Sequence, residues 1–380
     1  MIDQKKFHDC LQSAGVQFMT GVPDTLLNDF CLYAQANLPP DRHVIAANEG
    51  NAVALAAGYH LATGSIPLVY MQNSGIGNCV NPLLSLANKE VYGIPMVLLI
   101  GWRGDPDVKD HPQHRKQGEA TPALLEAMGI PFRVLTDNLD EALYAAKWAV
   151  STAKKLSSPT ALVAKKGALA KAEKGATDNR DCPYKMSREE AMACVLKSVP
   201  DNAVFVATTG RAARELHALR DLNDEGHDRD FLNVGAMGHA ASIASGIALA
   251  AKKRLVVCLD GDAALIMHLG SLTTAGKLGM PNFLHVVLNN GAHESVGGQP
   301  SAGFKADLTA MAGSAGYKTL GKAVKTEQGL VQAVQTLLPA DGPAFIEVRI
   351  RKGIRADLPP LKFSHSDLKT LLMENFFEQK

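Results

Sequence analysis

Short apolar runs rich in β-branched residues recur along this chain, set apart by stretches long enough to be helices. In the first half the runs cover residues 44–47, 68–71, 96–100 and 160–164, and each is apolar throughout rather than alternating. That pattern marks strands covered on both faces, as in a parallel sheet. Parallel strands need long crossovers, and residues 50–62, 78–88 and 139–155 supply helix-length segments for them. The second half repeats the rhythm at residues 204–207, 255–259, 283–288 and 344–350, without a close sequence repeat. The expected fold class is α/β, with two doubly wound parallel-sheet domains.

Between the halves, a stretch rich in lysine, alanine and glycine carries no sustained apolar periodicity. A helix then opens at Ser187, with Glu190 at the spacing of a capping box. The expected organisation is a first domain over 1–165, a linker over 166–186 and a second domain over 187–380. A chain of 380 residues accommodates two such domains. Lys plus Arg number 39 against 38 Asp plus Glu, which argues against a nucleic-acid binder working through bulk positive charge. No apolar stretch is long enough to span a bilayer, and the charged start MIDQKKFHD has no signal-like apolar core, so a cytoplasmic protein is expected. Six cysteines without CxxC spacing read as reduced thiols rather than as a disulfide framework or zinc site.

Residues 255–290 carry the most chemistry. They read as strand, tight Gly-Asp turn, helix, Gly-Met-Pro break and second strand. A right-handed crossover would bring Asp262 and the Asn289–Asn290 pair to the same carboxyl edge, where open α/β sheets bind ligands. One carboxylate and one amide oxygen are hard ligands suited to Mg²⁺ carrying a diphosphate. The small residues Ala263 and Ala264 would let backbone N–H groups approach the phosphates. Two unrelated surface turns are the plainer alternative.

Gly261-Asp262-Ala263 closed by Asn289-Asn290 resembles the thiamine-diphosphate (ThDP) fingerprint of the pyruvate-decarboxylase-like enzymes, with Ala263 in place of a usual glycine. The resemblance implies Mg²⁺ held by Asp262, Asn290 and the backbone carbonyl of Ala292, with Asn290 favoured over Asn289. It also implies a cofactor-binding set of Thr209, Gly210, Gly235, Met237, Gly261, Ala263 and Ala264 in the second domain. Gly235 would offer its carbonyl to the pyrimidine amino group, and Met237 would prop the cofactor in a bent form. In the first domain it implies Glu49, within Asn48-Glu49-Gly50-Asn51, as the carboxyl group against the aminopyrimidine. By itself Glu49 reads rather as a helix-start carboxylate, and Met237 as core packing.

With no room for a middle domain, the chain resembles the branch containing phosphonopyruvate and sulfopyruvate decarboxylases. Gly21-Val22-Pro23-Asp24, residues 72–78, residues 101–105 and residues 290–300 carry that likeness and lean toward phosphonopyruvate. The implied activity is decarboxylation of a small anionic 2-oxo acid, in a homodimer or higher homo-oligomer whose active site lies between chains. Asp24 and His293 are further candidates for catalysis, although Asp24 could equally cap a helix starting at Thr25. Around an anionic tail the candidates are Asn73, Ser74, Arg103, His111, His114 and Ser295. Residues 103–116 gather Arg103, Lys109, His111, His114, Arg115 and Lys116 into what reads as one loop able to close, or as a solvated mixed-charge loop. A nicotinamide oxidoreductase is disfavoured because the nearest glycine run, Gly75-Ile76-Gly77, lacks the third glycine of that motif. A non-catalytic relative would be expected to have lost Glu49 or the Asp262–Asn290 pair.

Overall fold

Most of the apolar runs are inner strands of two sheets, and every pairing within both sheets is parallel. A computed structural model describes residues 1–171, 182–339, 341–359, 361 and 363–377. The chain divides into two units, Met1–Thr177 with Val296–Gln299, and Asp178–Ser295 with Pro300–Lys380. Much of the linker expected over 166–186 lies on residues 172–181, outside the described residues.

The first unit runs α1 (Gln4–Ala14), β1 (Val16–Gly21), α2 (Asn28–Asn37), β2 (His43–Ile45), α3 (Glu49–Thr63), β3 (Ile66–Gln72), α4 (Ile76–Pro82), β4 (Val97–Gly101), α5 (Pro112–Ala127), β5 (Phe132–Leu135), α6 (Leu139–Leu156) and β6 (Thr160–Ala164). Its strand order is β2-β1-β3-β4-β6-β5. Successive side chains of a strand point to opposite faces. Leu68 and Tyr70 therefore enter one core with Phe7, Phe30 and Leu99, while Val69 and Met71 enter another with Leu98, Ile100 and Val163. This two-sided burial is why β3 and β4 are apolar throughout.

The structure departs from the sequence reading where that uniform pattern breaks. Gln17 and Thr20 interrupt β1, the strand that leads to Asp24, while Arg133 and Val134 of the edge strand β5 are open to solvent, so β5 has no uniform apolar run to announce it. The helix expected over 78–88 begins earlier and changes pitch. Pro82 has no N–H for the carbonyl four residues back, and the chain widens into a π-type turn over Leu83–Ala87. The loop expected over 103–116 ends at His111. Pro112, whose fixed φ suits a first helical turn, starts α5, so His114, Arg115 and Lys116 ride on a helix.

The second unit runs α7 (Arg188–Ser198), β7 (Val204–Ala207), α8 (Arg211–Leu222), β8 (Asp230–Leu232), α9 (Ala240–Ala250), β9 (Val256–Gly261), α10 (Asp262–Met267), α11 (Ser271–Leu278) and β10 (Phe283–Asn289). The two-residue strands β11 (Ala292–His293) and β12 (Gln299–Pro300) precede α12 (Leu308–Ser314), α13 (Glu327–Leu337), β13 (Ala344–Arg349) and α14 (His365–Phe377). The main sheet has the order β13-β10-β9-β7-β8. At the start of α7 the capping box is complete: Ser187 Oγ accepts from Glu190 N, and Glu190 Oε2 accepts from Ser187 N at 2.7 Å. All six cysteines are free thiols. Among the described residues no helix is long and apolar enough to cross a membrane.

Candidate active site

Parallel strands all end at one edge, and in each unit four neighbouring strands deliver the candidate residues there. In the first unit β1 leads to Asp24, β2 to Glu49, β3 to Asn73 and Ser74, and β4 to Arg103. The turn after β3 gathers them. Gln72 Nε2 donates to Asp24 Oδ1 at 2.6 Å, and Ser74 Oγ donates to Gln72 Oε1 at 2.8 Å. The Asn73 side chain donates to Arg103 O and accepts from Arg103 N, and its Nδ2 also donates to Thr121 Oγ1 at 2.9 Å. Gly75 lies so close to Glu49 that a Cβ there would stand 2.5 Å from Oε1.

Glu49 is the first residue of α3, placed by Asn48, whose side chain caps the helix at Asn51 N. It is buried, and its Oε2 accepts from Asn78 Nδ2 at 2.7 Å. Asp24 is fully buried, and burial raises its carboxyl pKa against the opposing bonds from Gln72 and Leu26 N. Its reading as the cap of a helix at Thr25 is not met: α2 starts at Asn28, and Asp24 Oδ2 instead accepts from Leu26 N within a turn.

That burial has a measurable consequence for Asp24. A folded carboxyl pKa above its ordinary value of 3.8 adds stability at low pH that is lost as pH rises through the folded value. Asp24→Asn should remove that decline. Thermal melts of parent and variant between pH 4 and 8 should diverge as pH falls, the parent gaining relative to the variant; parallel curves would contradict the assignment.

Arg103 clamps Asp110 through Nε at 2.7 Å and Nη2 at 2.6 Å, and Nη1 reaches Thr25 Oγ1 at 3.0 Å. The guanidinium holds the Asp110 carboxyl well below the usual range. Of the cations expected to face a substrate, Arg103 is thus already charge-compensated, and Lys116 pairs with Glu119. His114 is half-buried, and burial followed by the nearby Arg103 charge lowers its pKa to about 4. His111 is exposed at the start of α5.

In the second unit β7 leads to Thr209 and Gly210, β8 to Gly235 and Met237, β9 to Asp262, and β10 to Asn289 and Asn290. The register sets Leu288 beside Gly261, so Asp262 and Asn289 come level. Asp262 is buried. Its Oδ1 accepts from Asn290 N at 3.3 Å, and Ser301 Oγ donates to Oδ2. These donors are neutral, and burial pushes the carboxyl pKa up to about 6.

The two asparagines are held differently. Asn289 Nδ2 donates to Gly303 O at 2.7 Å and to Glu347 Oε1 at 2.8 Å, tying β10 to β13. Asn290 Oδ1 accepts from Ala292 N at 3.1 Å, and its Nδ2 donates to Glu294 Oε2 at 3.1 Å. Glu294 in turn accepts from Arg188 Nη1 at 2.8 Å. Gly303 runs against the same carboxylate, where a Cβ would meet Asp262 Oδ2 at 2.3 Å and Asn289 Oδ1 at 2.6 Å.

Ala263 and Ala264 open α10 directly after Asp262. Ser295 Oγ stands against Gly210, and Met237 N donates to Gly235 O at 3.1 Å in a turn held by Asn233. His293 is buried, and burial lowers its pKa to about 4, leaving a neutral imidazole near pH 7. Gln72, Asn78 and Ser301 hold the candidate carboxylates; the first two lie in the 72–78 stretch that carries the family likeness, whereas nothing in the sequence marks Ser301.

The family model described as "Thiamine pyrophosphate enzyme, N-terminal TPP binding domain" matches residues 4–124, and "Thiamine pyrophosphate enzyme, C-terminal TPP binding domain" matches residues 208–348. A phosphonopyruvate decarboxylase of Streptomyces viridochromogenes is 34% identical over 358 residues, covering 90% of this chain and 87% of that protein. The chain belongs to the thiamine-diphosphate-dependent decarboxylases. A sulfopyruvate decarboxylase of Methanosarcina acetivorans is 26% identical over 371 residues, covering 92% of each chain. The sulfopyruvate decarboxylase subunit beta of Methanothermobacter thermautotrophicus is 32% identical over 185 residues, 48% of this chain and 91% of that one.

The family's two α/β folds are thus the two parallel-sheet units, and every candidate residue lies within a matched stretch. The second unit's edge fits a metal diphosphate on its own chemistry. Asp262 is a buried carboxylate that accepts from the neutral donors Asn290 N and Ser301 Oγ, a charge that a divalent cation would compensate. Thr208 Oγ1, beside Gly261 at the end of β7, is buried without a hydrogen-bond partner among the described residues. For a decarboxylase of this family Gly75→Ala offers a test of where Glu49 must sit. The added methyl displaces a side-chain end rather than backbone, so the fold should survive, while turnover should fall about 10²-fold. Parent-like turnover with native circular dichroism would mean the position of Glu49 does not matter.

Proposed function

We propose that this chain decarboxylates 3-phosphonopyruvate to phosphonoacetaldehyde and carbon dioxide with ThDP and Mg²⁺, as a cytoplasmic enzyme of phosphonate biosynthesis. The observation that carries this reading is the 34% identity, over 90% of the chain, to a relative named phosphonopyruvate decarboxylase. ThDP, when bound, supplies the electron sink that makes loss of carbon dioxide from a 2-oxo acid feasible.

The chain's own residues have the following roles in this reading. Asp262, the Asn290 side-chain oxygen and the Ala292 carbonyl hold Mg²⁺, with hard oxygen ligands matched to a hard ion. Gly261, Ala263, Ala264, Thr209 and Gly210 bind the diphosphate end, and Gly235 and Met237 seat the ring end. Glu49 acts on the aminopyrimidine as a buried acid–base group. Asp24 and His293 serve the reacting end, His293 as a neutral imidazole because burial disfavours its charge. Asn73, Ser74, Arg103, His111, His114 and Ser295 meet the substrate's anionic tail, where Arg103 would share its charge between Asp110 and the phosphonate. Glu49 and Asp262 belong to different units, and the working form is a homodimer or higher homo-oligomer whose active site lies between chains.

Sulfopyruvate decarboxylation is the second reading, favoured by the likeness to the Methanosarcina protein. Aldehyde and carbon dioxide release with ThDP and Mg²⁺ should be measured in parallel on phosphonopyruvate, sulfopyruvate and pyruvate. We expect the largest kcat/KM with phosphonopyruvate. A preference for sulfopyruvate overturns the substrate and leaves the cofactor chemistry standing; silence with all three overturns the reading.

A further inference from the structure

Away from the strand edges, α8 and the segment before β8 bring two histidines and an aspartate together. His217 and Asp221 are four residues apart on α8 and so share one helix face. His227 comes from the connection to β8. The two imidazoles stack with centroids 3.9 Å apart and planes within 16°, and both side chains are buried. His227 Nε2 lies 3.1 Å from Asp221 Oδ1, and His217 Nε2 lies 4.0 Å from Asp221 Oδ2. All three donors lie within 4.8 Å of one another. The Phe363 ring packs against His227 in an edge-type contact, with centroids 5.3 Å apart. Arg220, next in sequence to Asp221, spends its guanidinium on Asp230 and Glu225.

We propose that His217, Asp221 and His227 form a second metal site, distinct in chemistry from the oxygen-lined Asp262 edge, that takes Zn²⁺ or a similar divalent transition ion. Two imidazole nitrogens and one carboxylate are the donor set such ions prefer, whereas Mg²⁺ favours oxygen alone. Zinc bonds of about 2.1 Å in a tetrahedron set donors about 3.4 Å apart. The separations of 3.1 Å to one Asp221 oxygen and 4.0 Å to the other bracket that value, and the two stacked rings must turn out of their parallel planes to aim both nitrogen lone pairs at one ion. Asp221, with its side chain 26% exposed, leaves a path for the ion and a position for solvent. Bound there, the ion stitches the end of α8 to the segment leading into β8.

The test is a Co²⁺ titration of the full chain, freed of metal by chelator and then held in excess Mg²⁺ to fill oxygen sites. One equivalent of Co²⁺ should give the intense visible bands of four-coordinate nitrogen–oxygen ligation, and Zn²⁺ should displace it. Zn²⁺ should also raise the melting temperature. Asp221→Asn, at the least buried member, keeps the shape and should weaken binding about tenfold or more, as should His227→Gln. Absence of bands up to about 1 mM Co²⁺ overturns the site. So do bands unchanged in both variants, which would mark an adventitious ion.

Discussion

Glu49→Gln should lower kcat by about 10²–10⁴-fold at saturating ThDP and Mg²⁺, the range expected when a positioned acid–base group is lost. Gln keeps the size of the side chain and retains an oxygen for Asn78 Nδ2, so α3 and its Asn48 cap should be undisturbed. What disappears is the ability to exchange a proton at one buried oxygen. The effect should therefore appear in kcat, with ThDP affinity within a few-fold of the parent; KM-only changes would show that Glu49 binds without taking part in proton transfer. Turnover should be measured by carbon dioxide release and ThDP affinity by calorimetry on the same preparation. Near-normal kcat sinks the role.

Asp262→Ala should act on the other end of the cofactor. If Asp262 is the metal ligand proposed above, its removal costs no less than removal of a supporting neighbour, so Mg²⁺-dependent ThDP affinity should fall about 100-fold or more. Mg²⁺ and ThDP should weaken together, because in the proposed site the diphosphate would reach the protein through the ion. Turnover should recover in part at high concentrations of both. Asn289→Ala makes a useful contrast. That side chain holds Gly303 and Glu347, so its loss should lower the melting temperature as well as binding. If Asp262→Ala left both affinities unchanged, the metal would have to be held elsewhere.

The two parallel-sheet units and the strand–turn–helix–strand order of residues 255–290 were legible because their signals are local. A β-branched run, a Gly-Asp turn and an Asn-Asn pair each declare themselves within a few residues. Strands β5 and β8 escaped because an edge strand has no need to be apolar on both faces, and β8 is three residues long. The partners of the site carboxylates were illegible for a different reason. Gln72 meets Asp24 across 48 positions, Ser301 meets Asp262 across 39, and Arg188 meets Glu294 across 106. Such pairs exist only once the sheet has brought distant turns to one edge. The Arg103–Asp110 clamp is close in sequence, yet among so many alternating charges in that loop nothing singled it out.

The all-parallel pairing also shapes how the protein is made. No strand of either main sheet meets its neighbour through a hairpin, so every pairing waits on closure of a long loop, and such sheets gather slowly. β13 follows every other described strand in the chain, yet it sits beside β10 and carries Glu347, the anchor of Asn289. During translation β10 emerges with one edge open and its asparagine turn unsupported until β13 arrives. A nascent chain at that stage exposes an apolar strand edge beside an unfinished active site, the stage at which chaperones and low growth temperature would most improve the yield of soluble protein.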